Sequence, residues 1–347
     1  MSAPSRPTGG DDHVRSTGIG SWPGADVTEA VKIAFAESPE IPYVPELPAR
    51  GPWASMIGRA TAFLHELPVD LRPAGWRLSD ASSREHRQAK ATLRSDLDQL
   101  EEQAQGYTGP VKLSVAGPWT LAASMERPRG DRVLADSGAR RELGQSLAEG
   151  ISELLVELRR RLPGIGWWVQ LDEPLLPSVL HGSVPTASGM SRHRPVDRPE
   201  VTATYLQLVD RIHRVHGALP VLVHSCAPEV PVALLRPTGV AGVLLDRDQA
   251  TTRVWDEVGE AIEAGFLIGI GALPTASPPS ADHPPTSRQI ADRALQPLRT
   301  LGLGPDVADR LLITPACGLA GFDRAGAIRA LRTVREAAEI VTEELAR

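Results

Sequence analysis

Cysteine and lysine are scarce in this chain, and long apolar runs are missing. Two cysteines in 347 residues cannot form a disulfide framework. The opening stretch MSAPSRPTGGDDH has no apolar segment of the kind a secretory signal needs. The expected compartment is therefore the reducing cytoplasm, where a single bridge is disfavoured. Only three of the 37 basic residues are lysines, a bias that reflects codon usage rather than function. The formal net charge of -6 leaves no electrostatic footprint for nucleic acid or for an anionic membrane. No apolar run approaches the roughly 20 residues that cross a bilayer. What remains, 41% hydrophobic and 23% charged residues, is ordinary for a soluble globular enzyme. Residues 1–12 read as a disordered tail, and 13–347 as a single catalytic domain.

Eight short β-like runs punctuate the chain, at 14–21, 41–47, 111–117, 167–174, 219–226, 240–246, 265–274 and 311–317. Helical stretches separate them. The clearest, near 131–161, has Leu143, Leu147, Ile151, Leu154 and Leu158 at the spacing of one buried face. Residues 67–80 read as turn-rich, 177–198 as a long loop over one end of the fold, and the segment to about 285 as a Pro/Ser-rich loop. The runs are apolar rather than cleanly alternating, as expected of parallel strands buried on both faces. The pattern predicts an α/β protein, a single (β/α)8 TIM-like barrel. The alternative, a doubly wound open sheet, lacks its G-x-G-x-x-G, since Gly18-Ile-Gly20 is only a two-glycine fragment.

A barrel demands that chemistry cluster where strands end. The polar residues there are Ser21, Glu46, Asp172, Glu173, His224, Cys226, Asp246 and Cys317. His224 and Cys226 stand two apart on one strand and so share a face. With Cys317 they give one nitrogen and two sulfurs, a set that favours zinc over magnesium or calcium. Asp246 or a substrate thiol could fill a fourth position. Taken singly, each cysteine reads better as a small buried hydrophobe, a reading weakened by both sitting at strand ends beside polar residues. Asp172 and Glu46 are acids in apolar company, suited to a ligand ammonium or, as a pair, to flanking a sugar. Glu173 reads as an N-cap or a loop salt bridge. Ser21 with Gly20 could meet a ligand carboxylate near the first helix, or be a plain turn. Trp22, Trp119, Trp167 and Trp168 read as core.

At these residues the sequence resembles the cobalamin-independent methionine synthase family, in its catalytic C-terminal barrel. Gly18-Ile-Gly-Ser-Trp-Pro23, Val44-Pro-Glu46, Val115-Ala-Gly-Pro-Trp-Thr120, Gln170-Leu-Asp-Glu-Pro174, Val223-His-Ser-Cys226 and Pro315-Ala-Cys-Gly-Leu319 occur in the family's order. The resemblance implies a TIM-like barrel that uses zinc to activate homocysteine as a thiolate. It implies Ser21 on the substrate carboxylate, Glu46 and Asp172 on its ammonium, and His224, Cys226 and Cys317 on zinc. Asp246 stands where the family has a glutamate ligand one methylene longer. The family's histidine after the seventh strand has no counterpart in Ile268–Thr275, and its folate-stacking tryptophan gives way to Ser124 or a neighbour. The family's N-terminal half, which helps hold a polyglutamated folate, is not represented. The implied activity is S-methyl transfer to homocysteine, giving methionine. The donor is methyltetrahydrofolate by family analogy, or a methylcorrinoid, with a corrinoid protein as partner. Two other classes stand beside it: a metal-free barrel enzyme of the uroporphyrinogen decarboxylase type, and a non-catalytic barrel that binds zinc or an amino acid.

Overall fold

The computed structural model describes residues 13–276 and 284–347; the tail expected at 1–12 and most of the loop expected before 285 lie outside them. Among the described residues nine strands run in chain order: β1 (Arg15–Ser16), β2 (Val69–Arg72), β3 (Gly75–Leu78), β4 (Gly109–Ala116), β5 (Ile165–Asp172), β6 (Val221–Ser225), β7 (Gly242–Asp246), β8 (Leu267–Leu273) and β9 (Leu311–Pro315). Seven form one parallel sheet in the order β1-β9-β8-β7-β6-β5-β4. Helices connect them, with the longest at Ser137–Arg161 and Arg324–Leu345. The architecture is α/β, a curled parallel sheet with helices, consistent with a TIM-like barrel.

The second run contains no regular strand, and its prolines account for that: a proline has no amide to give to a ladder. It still lies between the two ends of the sheet. Val44 donates its amide to the Lys112 carbonyl at 2.9 Å, and Glu46 donates to the Gly20 carbonyl at 3.0 Å. Tyr43 thus pairs with Lys112 on β4, and Glu46 pairs with Ser21 beyond β1, both in parallel.

Two hydrophobic clusters divide the two faces of the sheet. The large one mixes strand residues such as Val169, Leu171, Val221 and Val223 with helix residues such as Leu147, Ile151 and Val334. Each fully buried leucine or valine there contributes about 1.5–3 kcal/mol. The small cluster holds Ile19, Ile41, Trp168, Leu222, Leu244, Leu267 and Leu312. It lies on the opposite face, because Trp168 and Leu222 alternate with Val169 and Val223. Along that inner face the strands change from apolar to polar: Trp168, Gln170, Asp172 on β5 and Leu222, His224 on β6.

Helix starts follow their caps. Asp26, Ser83, Asp136, Thr251, Thr286 and Asp323 each accept an amide from the first turn of the helix they precede. The structure corrects two expectations. The turn-rich segment 67–80 contains an antiparallel hairpin, with Val69 opposite Leu78 and Leu71 opposite Trp76. Val69, Trp76 and Leu78 are buried, which stabilises a hairpin too short to persist alone. The loop expected at 177–198 includes a helix, Leu176–His181, ended by Gly182 at φ 64°.

Candidate metal centre

Strand register builds the site. In the parallel β5–β6 ladder Asp172 is the direct partner of His224, so their side chains leave the sheet side by side on the inner face. The Asp172 Oδ1 accepts a hydrogen bond from His224 Nδ1 at 2.9 Å. Both residues are buried. Burial works to lower the pKa of His224, but the hydrogen bond and charge of Asp172 outweigh it and the net shift is upward. With Nδ1–H given to Asp172, Nε2, which lies 3.4 Å from the Ala316 carbonyl, is the nitrogen available to a metal, the arrangement in which a carboxylate fixes a ligating histidine.

Two residues on, Cys226 faces Cys317, which follows β9. The Cys317 Sγ lies 3.2 Å from the Cys226 Sγ and donates to it. Sharing one proton lowers the pKa of the Cys226 thiol and raises that of Cys317. One ligand atom from each of His224, Cys226 and Cys317 falls within 4.8 Å of the others. Two sulfurs on one tetrahedral zinc stand about 3.8 Å apart, given Zn–S bonds near 2.3 Å. The cluster is compact enough to close on one ion, and its nitrogen and two sulfurs fit zinc chemically. Asp246 ends β7, next to β6, but does not join this group. Its Oδ1 accepts the Asp248 amide at 2.9 Å, capping its own turn.

Ser21 and Glu46 pair with each other at neighbouring strand ends. Glu46 is buried and lies 3.4 Å from Arg59 Nη1, which also donates to the Ser114 carbonyl at 2.7 Å. Burial pushes the Glu46 carboxyl up to about 6, against the opposing charge of Arg59. Ser21 accepts the Leu319 amide on its carbonyl at 2.9 Å. A Cβ placed on Gly318 would lie 1.9 Å from Ser21 Oγ. Only glycine lets the serine hydroxyl pack against the loop that carries Cys317. Gln170 ties β5 to the segment after β1: its Nε2 donates to Asp172 Oδ1 at 2.7 Å and to the Ile19 carbonyl at 2.9 Å.

Glu173 has a different task. Its carboxylate accepts the amides of Trp119 (3.1 Å) and Thr120 (2.7 Å), the Thr120 hydroxyl (2.8 Å) and the Tyr205 hydroxyl (2.9 Å). It is not the N-cap of the helix that follows it, which is Leu175; it takes up the first amides of the helix Pro118–Ser124, whose own N-cap is Gly117, and has no cationic partner among the described residues. Trp22, Trp119, Trp167 and Trp168 are buried, in keeping with a core role. Sequence reasoning passed over Gln170, Lys112, Arg59 and Gly318. The signal for Gln170 was its place two residues before Asp172 on one strand, and for Gly318 its adjacency to Cys317.

Comparison with known proteins adds the family. The family model for the cobalamin-independent synthase catalytic domain matches residues 102–340. The chain belongs to that family. The matched span carries Asp172, His224, Cys226, Asp246 and Cys317, while Ser21 and Glu46 precede it. Among solved structures, the fold resembles a B12-independent methionine synthase from Shewanella sp. W3-18-1 in complex with selenomethionine. The TM-score is 0.62 at 14% identity, covering 96% of this chain and 99% of that one. An endo-1,4-beta-mannanase from Rhizomucor miehei matches at TM-score 0.48 and 9% identity, covering 95% of each chain. No curated protein matches this chain in sequence. Membership of the cobalamin-independent synthase family indicates a methionine synthase-type enzyme acting on small molecules. Among the described residues no helix is long and apolar enough to cross a membrane.

Proposed function

We propose that the chain is a zinc-dependent methyltransferase that transfers a methyl group to the thiol of homocysteine, giving methionine. The observation that carries this reading is the convergence of His224, Cys226 and Cys317 within 4.8 Å, with Asp172 hydrogen-bonded to the histidine. Residues 13–347 act as one catalytic domain, a closed (β/α)8 barrel, with the irregular 41–47 segment as the eighth staff between β4 and β1. The expected setting is cytoplasmic, where both thiols stay reduced.

His224, Cys226 and Cys317 would hold the metal, which would activate the acceptor thiol. Asp246, committed to its own turn, is not needed to complete the set. Zinc, when bound, keeps a thiol deprotonated at neutral pH, and the thiolate is the nucleophile. The protein's own contribution is orientation. Asp172 spends Oδ1 on His224 and Gln170, and its Oδ2 has no partner among the described residues, so that oxygen meets the substrate ammonium. Glu46 supplies a second carboxylate to the same group. Ser21 donates its hydroxyl to the substrate carboxylate from the side of the Cys317 loop. Held at both ends, the amino acid turns its sulfur toward the two cysteines and presents it for in-line attack on the methyl group.

The donor is methyltetrahydrofolate or a methylcorrinoid carried by a partner protein. A labelled-methyl assay with homocysteine, run in parallel with both donors, tests the proposal. Label in methionine from one donor supports it and names the donor. Homocysteine binding without turnover from either donor would leave a binding barrel, and turnover undiminished in a metal-free protein would remove zinc from the mechanism.

A further inference from the structure

A lysine is buried inside the sheet where no function above requires one. Lys112 lies on β4 with a relative exposure of 0%, and it is one of only three lysines in the chain. A buried ammonium costs several kcal/mol unless its donors are used, so its partners matter. Nζ donates to the Ile19 carbonyl at 2.9 Å and to Gln170 Oε1, and it lies 5.8 Å from the centre of the Tyr43 ring. Burial lowers its pKa to about 7, against the opposing pull of Asp172 and Glu46.

The consequence runs through the Gln170 amide. An ammonium only donates, so it fixes which end of the amide faces it: the oxygen. The NH2 end must then face the other way. Its two hydrogens go to the Ile19 carbonyl and to Asp172 Oδ1. The same Oδ1 accepts His224 Nδ1–H. Each member of the chain has one role left once Lys112 is in place. Without the ammonium Gln170 Oε1 is buried with no donor beside it, and the amide loses the contact that holds its NH2 end against the Ile19 carbonyl and Asp172 Oδ1.

We propose that Lys112 is a positioning residue: through Gln170 it locks the Asp172 carboxylate, and through that carboxylate it holds the His224 ring with Nδ1–H on Asp172 rather than Nε2–H on the Ala316 carbonyl. The relay spans β4, β5 and β6 on the inner face of the sheet, beneath the cluster of His224, Cys226 and Cys317. It also keeps Asp172 Oδ2 turned outward, so that one buried cation aligns both a metal ligand and an ammonium-binding oxygen. The inference deepens the function proposed above and rests on it only for its metal readout.

The test uses Lys112→Met and Gln170→Met, singly and together. Competition with a chromophoric chelator should show zinc affinity about 10–100-fold weaker in each single variant. The double variant should lose little more than the worse single one, because both act along one path. A second readout needs no metal. Nitrogen NMR of the imidazoles in metal-free protein, at a pH where the ring is neutral, should show His224 as the Nδ1–H tautomer in the wild type. Either variant should show a mixture, with His224→Gln identifying the resonance. Should Lys112→Met fail to fold, Gln170→Met leaves every charge in place and carries the test alone. A folded variant with unchanged tautomer and zinc affinity overturns the inference, and additive losses overturn the path through Gln170. A wild type that binds no zinc but shows the Nδ1–H tautomer, lost in the variants, would defeat the proposed function while sustaining the relay.

Discussion

Glu173→Ala should destabilise the protein by about 2–5 kcal/mol, even though its carboxylate bonds to neither the metal ligands nor the residues of the proposed substrate site. The carboxylate is fully buried and accepts four hydrogen bonds. Removing it orphans four donors. The hydroxyls of Thr120 and Tyr205 can turn to other acceptors, but the amides of Trp119 and Thr120 are fixed by the helix they begin. Each stranded amide costs about 1–3 kcal/mol, giving about 2–6, and water entering the cavity recovers a part. Native proteins hold only about 5–15 kcal/mol in total, so the loss is large. Glu173→Gln tests the accounting. With its NH2 at the Oε1 position the Tyr205 hydroxyl can reverse its role, and only the Trp119 amide is stranded, a loss of about 1–3 kcal/mol. Urea unfolding followed by tryptophan fluorescence measures both, read as a shift in midpoint at unchanged slope. An alanine variant within 1 kcal/mol of the wild type, or a glutamine variant less stable than the alanine one, would refute the reasoning.

Two further outcomes bear on the substrate site. Gly318→Ala places a Cβ where Ser21 Oγ now sits, 1.9 Å away, so the hydroxyl must swing off its line to the substrate. A hydrogen bond to a charged group is worth about 1.5–3 kcal/mol, so the KM for homocysteine should rise about 10–100-fold; a KM within twofold of wild type counts against Ser21. Glu46 must be ionised to hold an ammonium, and its pKa is raised by burial to about 6. The KM should therefore be flat above neutrality and climb as pH falls through about 6, a dependence that Glu46→Gln abolishes; a wild-type profile flat down to pH 5 would remove Glu46 from the site.

The strand ends were legible in sequence because the inner face of a parallel sheet is a simple i, i+2 pattern. His224 and Cys226 share a face, as their spacing demanded, and Cys317 meets them from β9. The acid beside the histidine was visible as an acid, but its pairing depends on the β5–β6 register, which no single strand encodes. Glu173 shows the same limit. Of the adjacent acids Asp172 and Glu173, the first points into the site and the second away from it, and only the contacts with Trp119, Thr120 and Tyr205 reveal what the second one caps. The hairpin Val69–Leu78 was obscured by Pro73 and Gly75, which mark a turn without revealing the strands on either side. Lys112 was invisible for a different reason: a lone lysine in an apolar run looks like a surface residue until the sheet folds over it.

The central claim is that one zinc ion is held by His224, Cys226 and Cys317. It is tested most directly by metal analysis of reconstituted protein, combined with thiol alkylation before and after a chelator. The account predicts about one zinc per chain, both cysteines protected until the chelator is added, and loss of bound zinc in Cys226→Ser. Zinc well below one per chain, with both thiols alkylated at the same rate whether or not the chelator is present, would contradict it.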